Sequence, residues 1–311
     1  MKKLKKHTHN KMLFKDNFRY YFLIILIFSL LGLFYFEKDK KIKENIKICL
    51  CVLGKKENKY VREFIHHYKN YGIDKIIIYD NNDINGEKFE TVISDYLKSK
   101  FVEIRNFRGQ VKIQIRAVQD CYKTNYQKYD WFMMFDMDEF IYLENFKNAK
   151  IFLKDKRFSN CNLIHLNRRF YTDNNQIYYK KKLLSKRFTQ YTTNFTNVKP
   201  ILRGKLENII IKNHHIINSK YKACNGFGLI KNDSFTDFNY YYLNHYYFKS
   251  TEEFIDKLNR GDSFYTNNDL VKIRKINYYF SFNKITKEKI DFIEKKTLIN
   301  LQSFRKKILS K

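Results

Sequence analysis

Trp131-Phe132-Met133-Met134-Phe135-Asp136-Met137-Asp138-Glu139-Phe140 is the stretch that decides the fold. Five apolar residues, 131 to 135, run straight into carboxylates. A short apolar run of this kind predicts a strand buried on both faces, as in a parallel sheet. The preceding sequence has the same grammar. Ile46 to Leu53 is an apolar, β-branched run, Lys75 to Tyr79 is a short buried strand, and Phe101 to Arg105 is a further strand. Between them lie helical patterns at Glu57 to Tyr71, Glu87 to Lys98 and Val111 to Tyr126. The first has Tyr60, Phe64, Ile65, Tyr68 and Tyr71 on one side and stops at Gly72. This alternation predicts an α/β fold, a mostly parallel sheet flanked by helices. In such sheets ligands sit beyond the carboxyl ends of strands, where Asp80 and Asp136 both fall.

Further along, Leu163 to Leu166, Ile209 to Ile211 and Tyr240 to Tyr247 are candidate strands. Thr251 to Leu258 predicts a helix capped by Ser250 or Thr251, with Glu252 and Glu253 in its first turn. Ile285 to Leu309 is Lys-rich and helical. The expected organisation is a basic tail (1–19), a membrane-spanning helix (20–36), a polar stem (37–45), a catalytic domain (46–265) and a Lys-rich C-terminal extension (266–311).

The span rests on an uncharged, almost wholly apolar stretch, Tyr20 to Phe36. Seventeen helical residues cover roughly 26 Å, slightly short of a ~30 Å hydrocarbon core. The flank before it carries Lys2, Lys3, Lys5, Lys6, Lys11, Lys15 and Arg19 against the single acid Asp16. The positive-inside rule then places the N-terminus in the cytoplasm, a type II signal anchor. Bulky Leu33, Phe34, Tyr35 and Phe36 offer no small-residue cleavage site.

Composition narrows the class. The 311 residues are 44% hydrophobic, enough for a sizeable core and against wholesale disorder. Lys and Arg total 61 against 32 acids, a net charge of +29 that favours anionic partners. The cations are spread along the chain without an Arg-rich block, so a nucleic-acid or acidic-polymer binder is the rival reading rather than the leading one. No GxSxG, HExxH, Walker A or GxGxxG motif is present, against serine hydrolases, zincins and P-loop enzymes. The five cysteines (49, 51, 121, 161 and 224) are odd in number and irregular in spacing. They are expected to be ordinary core residues rather than a disulfide framework, Cys49 and Cys51 sharing one side of a strand.

Asp136 and Asp138 flank one residue just past a buried strand, a spacing that can converge on a divalent cation. Hard cations such as magnesium or manganese take carboxylate oxygens and leave positions for a diphosphate. The plain alternative is a solvated acidic turn. His214, His215 and His245 could each complete a metal shell as a neutral imidazole. Asp80 could hold a ribose or base, or simply belong to the turn Asp80-Asn81-Asn82-Asp83. The aromatic group at Tyr240 to Tyr242 and Tyr246 to Phe248 is better explained by core packing than by sugar stacking.

Taken together, the ordered motifs resemble glycosyltransferase family 92 and related enzymes of the GT-A type. The resemblance runs from about Lys47 to Ser263. It begins at Cys49-Leu50-Cys51-Val52, followed by Lys55-Lys56-Glu57-Asn58-Lys59-Tyr60-Val61-Arg62-Glu63-Phe64, where Lys56 replaces the usual Asn and Phe64 the usual Trp. Tyr71 to Asp74 and Ile78 to Asp83 follow, then Gln114, Ala117 and Cys121, then the Asp136 to Phe140 acid motif. Arg187-Phe188, Lys199-Pro200 and His215 resemble the middle markers. Asn244 to Phe254, with Lys257, Arg260 and Gly261, resembles the closing segment.

The resemblance implies a metal-dependent, inverting transfer of a sugar from a nucleotide-diphosphate sugar, UDP-sugar favoured, to a glycan or glycoconjugate hydroxyl. Asp136, Asp138, His215 and His245 would hold Mn2+ or Mg2+. Glu57, Asp80, Asp136, Lys249 and Arg260 would bind the donor, with Arg203 a further phosphate cation. Glu139, Glu253 and Asp262 are the candidate bases. An inactive relative with the same fold is the remaining alternative. A stem and signal anchor suit a Golgi enzyme in a eukaryote, where the sequons at Asn194 and Asn232 would be usable.

Overall fold

A computed structural model of the chain describes residues 26, 27, 29 and 46–309, apart from 194–196, 213–214, 217–219, 231–235 and 262–268. The chain falls into two compact units, Met1–Asn45 and Ile46–Lys311, and the second holds the sheet with its helices. Among the described residues no helix is long and apolar enough to cross a membrane. The expected span at 20–36 lies outside them, save Leu26, Ile27 and Ser29, which are helical. Both sequons, at Asn194 and Asn232, also lie outside the described residues.

The first half builds as its pattern predicts. Strands β1 (Ile48–Gly54), β2 (Lys75–Asp80), β3 (Val102–Asn106) and β4 (Trp131–Met134) are parallel, in the order β3-β2-β1-β4. Helices α1 (Val61–Asn70), α2 (Glu90–Lys98) and α3 (Gln114–Asn125) make the crossovers. Alternation in β1 divides its side chains between two cores. Ile48, Leu50 and Val52 pack with Phe64, Ile65 and Tyr68 of α1. Cys49 and Cys51 pack with Ala117, Cys121 and Tyr122 of α3. Helix α1 ends where expected: Gly72 takes φ +78, and a Cβ there would lie 2.5 Å from the Asn148 side chain. It starts later than expected, because Lys56 has φ 54 and Glu57 to Tyr60 form a turn, with Tyr60 N–H donating to Glu57 O at 2.9 Å.

The second half corrects the expectation of a mostly parallel sheet. Strand β5 (Glu139–Leu143) leaves a tight turn at Asp136 and runs at the far edge, antiparallel to β12 (Tyr241–His245). Strand β8 (Val198–Arg203) lies antiparallel between β4 and β6 (Leu163–Tyr171). With β12 parallel to β6 and short β7 (Tyr191–Thr192) and β11 (Ala223–Asn225) attached to β6, the ten-stranded sheet is mixed. Helical crossovers enforce parallel pairing, and after β4 they give way to loops and very short helices. A separate pair, β9 (Ile211–Lys212) and β10 (His215–Ile216), completes the strands.

After α4 (Ala149–Leu153) and α5 (Leu184–Arg187), four helices close the chain: α6 (Thr251–Arg260), α7 (Asp269–Phe282), α8 (Lys287–Thr297) and α9 (Gln302–Leu309). They share one core, in which Phe254, Ile255 and Leu258 of α6 meet Ile276, Tyr279, Ile290 and Ile293. A buried ion pair, Lys289 Nζ to Asp173 Oδ2 at 2.5 Å, ties α8 to the loop after β6. Of the aromatic group at 240–248, Tyr241, Tyr242, Tyr246 and Phe248 are buried in the core, whereas Tyr240 is exposed and Tyr247 lines the crevice beyond the acid motif.

The cysteine expectation is overturned. Cys51 pairs with Cys121, joining β1 to α3, and Cys161 pairs with Cys224, joining the start of β6 to β11. Only Cys49 is free, and burial pushes its thiol up to about 12. The bridges span 70 and 63 residues, so irregular spacing hid them; the sheet and α3 bring the partners together. In the chain-entropy account, loops of that length are each worth about 4 kcal/mol. Under denaturing, non-reducing conditions one of the five cysteines should react with a thiol reagent, and reduction should lower the thermal midpoint by roughly 10 °C or more. Five reactive thiols would refute the pairing.

His67 on α1 gives a pH signature. Its Nε2 faces Ile141 O at 3.1 Å, and burial pushes the imidazole down to about 4, with His66 a lesser cause in the same direction. Unfolded, it protonates near pH 6.5, so between about 6.5 and 4 the unfolded chain holds the extra proton. Stability should therefore fall as pH drops through that window, by up to about 3 kcal/mol, and His67→Gln should flatten the slope. Urea midpoints measured across pH 4 to 7 check this.

Candidate active site

Strand order reverses at β1, because β2 lies on one side of it and β4 on the other. A crevice therefore opens beyond the carboxyl ends of β1 and β4. The acid motif is the turn leaving β4, closed by Glu139 N–H donating to Asp136 O at 3.0 Å. Asp136 is the exposed member, its side chain 39% accessible. Lys199, on β8 and fully buried, reaches Asp136 Oδ2 at 2.7 Å and Glu139 Oε2 at 3.1 Å. Glu139 is wholly buried and also accepts from Asp136 N–H at 2.9 Å and Arg168 Nη1 at 3.3 Å. Both its oxygens are thus engaged.

Asp138 is buried among cations. Lys257 Nζ lies 2.7 Å and Lys249 Nζ 3.7 Å from Oδ2, and His245 Nε2 lies 3.3 Å from Oδ1. Burial alone would raise its carboxyl, but Lys257, His245 and Lys249 outweigh that and hold it well below the usual range. Burial also pushes His245 down, against the pull of Asp138 and Glu139, which favours its neutral form. Its Nδ1 is buried without a hydrogen-bond partner. A carboxylate oxygen and a neutral imidazole nitrogen 3.3 Å apart are donors suited to a divalent cation. Asp136 does not close with them into a three-donor cluster. Among the described residues the only such cluster is Cys49, Cys51 and Cys121, two of which are disulfide-bonded.

The other expected site residues divide. Glu57 and Arg260 meet each other, Oε1 to Nη1 at 2.6 Å, and Arg260 also donates to Lys55 O. Lys249, at φ 55 between β12 and α6, sits 4.5 Å over the Tyr60 ring. Asp80 is buried and filled: Arg108 Nη1 reaches Oδ2 at 2.6 Å, and Asn82 donates twice to Oδ1, at 2.9 and 2.7 Å. Its neighbour Asn81 lines the crevice instead. Arg203 lies elsewhere, donating to Cys161 O and Phe158 O and stacked 4.4 Å from the Trp131 ring. Glu253 is locked by Arg187, Ser250 and Tyr60, and Arg187 and Ser250, the largest opposing causes after burial, draw its pKa down. Asp262 and His214 lie outside the described residues. His215 is placed only by its backbone, on β10.

Five cations escaped the sequence reading of the site: Lys55, Arg168, Lys199, Lys257 and Lys275. Arg168 sits in β6 with 9% exposure and faces the crevice, its Nε unpartnered. The signal was available as Asn167-Arg168-Arg169 inside a strand that is otherwise apolar save His165, where charge is costly without a partner. The crevice holds about 280 Å3. Five cationic side chains line it (Lys55, Arg168, Lys257, Arg260 and Lys275) against the three carboxylates Glu57, Asp136 and Asp138. That balance suits a polyanion such as a diphosphate.

Fold and site together define an α/β protein with a cation-rich switch-point crevice headed by an Asp-x-Asp turn. Residues 44–295 match the sequence profile of glycosyltransferase family 92, and the chain belongs to that family. A family 92 protein of Ricinus communis is 24% identical over 120 residues, 39% of this chain and 21% of the relative. One from Arabidopsis thaliana is 27% identical over 108 residues, 34% of this chain and 18% of the relative. The chain thus spans about a fifth of the length of the curated relatives it matches. Among solved structures it is similar to S. aureus TarS 1–349 in complex with UDP, at 11% identity and a TM-score of 0.39, covering 78% of this chain and 76% of that one. TarS 1–349 in complex with UDP-GlcNAc gives 12% identity and a TM-score of 0.39, covering 83% and 80%.

Proposed function

We propose that the chain is a metal-dependent, inverting glycosyltransferase that moves a sugar from a nucleotide-diphosphate sugar, UDP-sugar favoured, to a hydroxyl of a glycan or glycoconjugate. The observation that carries this reading is the Asp136 to Asp138 turn at the switch-point crevice, surrounded by cations matched to a diphosphate. Asn81 and Gln114, which line the crevice, would contact the nucleoside. Arg168, Lys257, Arg260 and Lys275 offset the charge of the diphosphate. Asp138 and His245, 3.3 Å apart, would hold Mn2+ or Mg2+, with Asp136, which does not close with them, as the proposed third donor; the ion would supply Lewis-acid stabilisation of the departing diphosphate. In the transfer, the bond from the anomeric carbon to the diphosphate oxygen breaks and a bond to the acceptor oxygen forms on the opposite face. The acceptor proton goes to a carboxylate. Glu139 and Glu253 are already held by cations, which leaves Asp262 among the three sequence candidates.

Residues 20–36 anchor the protein in a membrane as a type II protein in this reading, in the Golgi if the host is eukaryotic. Two disulfides support an oxidising compartment for the domain. UDP-sugar hydrolysis by the full chain should require manganese and stop with chelator. Turnover unaffected by chelator would assign the charge compensation to Arg168, Lys257, Arg260 and Lys275 alone and remove the metal.

A further inference from the structure

A second cavity, of about 400 Å3, lies between the start of α1 and helix α6. It is within the ~300–1,000 Å3 range of small-molecule sites. Glu57, Lys257 and Arg260 line both it and the donor crevice, so these three side chains form the partition. Lys249 lines the second cavity and reaches Asp138 at 3.7 Å, so the cavity begins one ammonium group away from the acid motif.

Most polar groups on its wall are already used. Asp256 pairs with Lys59 at 3.5 Å, and Glu253 is held by Arg187 and Tyr60. Glu57 is the exception. It is 4% exposed, and Arg260 occupies Oε1. Its Oε2 is buried and has no hydrogen-bond partner. A buried carboxylate oxygen left unpaired is costly, more so than a neutral group, and the cost is relieved by a donor. A phosphate or carboxylate ligand brings like charge to that atom; a hydroxyl brings the missing proton.

We infer that this cavity is the acceptor subsite, taking a neutral, hydroxyl-rich sugar one of whose hydroxyls donates to Glu57 Oε2. The acceptor role rests on the transferase reading; the sugar site itself does not. A ligand here approaches the donor crevice across the Glu57, Lys257 and Arg260 partition. Substrate choice would then be read by a carboxylate that is itself fixed by Arg260.

The test uses the full chain and two titrations. Methyl hexopyranosides of galacto, gluco and manno configuration are followed by ligand-observed NMR, and UDP with manganese by calorimetry. Glu57→Gln removes the charge on the key oxygen but disturbs the Arg260 pair. Asn259→Trp fills the exposed side of the cavity and replaces no member of the Glu57–Arg260 or Arg187–Glu253 pairs. The expected result is hexoside binding by the wild type, weakened at least tenfold in both variants, with the UDP midpoint in Asn259→Trp unchanged. Hexoside binding that persists in Asn259→Trp, or no hexoside binding by the folded wild type, overturns the subsite. Variant-sensitive hexoside binding without any UDP binding would keep the sugar site and remove the transferase.

Discussion

Asp138→Ala is expected to lower turnover of a UDP-sugar by about a thousandfold or more, roughly 4 kcal/mol of transition-state stabilisation. Asp138 is the buried member of the acid pair, and Lys249, Lys257 and His245 all converge on it. Removing it takes away a candidate metal ligand and the anchor of two ammonium groups at once. Asp138→Asn separates charge from shape. The Lys257 side chain is 22% exposed and can turn to water, so the amide variant should remain folded yet lose nearly as much activity. Far-UV circular dichroism and steady-state kinetics on the same samples check both statements. Wild-type turnover in Asp138→Asn would mean that the motif is a structural turn.

The second large effect is on stability. Arg187 and Glu253 are 1% and 2% exposed at their side chains, and Arg187 donates to both carboxylate oxygens. Glu253 also caps α6 in a reciprocal arrangement with Ser250. Arg187→Ala leaves that carboxylate buried without its cation, at a cost of about 3–5 kcal/mol. The midpoint of urea unfolding should shift accordingly. Arg187→Met with Glu253→Leu removes both charges and should recover part of the loss. Kinetics on Glu253→Gln serve a second purpose. Retained turnover places Glu253 in the scaffold; turnover lost from a folded protein would make it the base.

The first four strands and three helices were legible because β1, β2 and β4 are largely apolar runs, the helices show helical spacing, and β3, though it carries Glu103 and Arg105, falls where the strand–helix alternation calls for a strand. Trp131 to Phe135 ends in acids, and the sheet puts those acids at the switch point. In the second half the strand within 240–247, the helix from Thr251 capped by Ser250 and the helical C-terminus were legible too, whereas the strands between them were legible only in part. Strand β6 carries Asn167 and Arg168 into the interior, so its pattern is broken by an amide and by the guanidinium that holds Glu139. Strands β7, β9, β10 and β11 are two or three residues long, too short for any period. Disulfide partners 70 and 63 residues apart leave no local mark. At the site, the acids stood out because carboxylates are the minority charge. Lys199 and Lys257, two among 61 cations, were legible only as members of family-like motifs, without a role. Their pairing distances to the acids, both 2.7 Å, supply the role. Asp80 shows the converse. It ends its strand as the pattern predicts, but Arg108 and Asn82 fill both of its oxygens.

Calorimetric titration of the full chain with UDP, GDP and CDP, with and without manganese, tests the donor crevice most directly. Selective binding of one nucleoside diphosphate, strengthened by manganese and lost in Asp136→Ala, is the expected result. A folded chain that binds none of the three, with or without the metal, would contradict the assignment of the crevice.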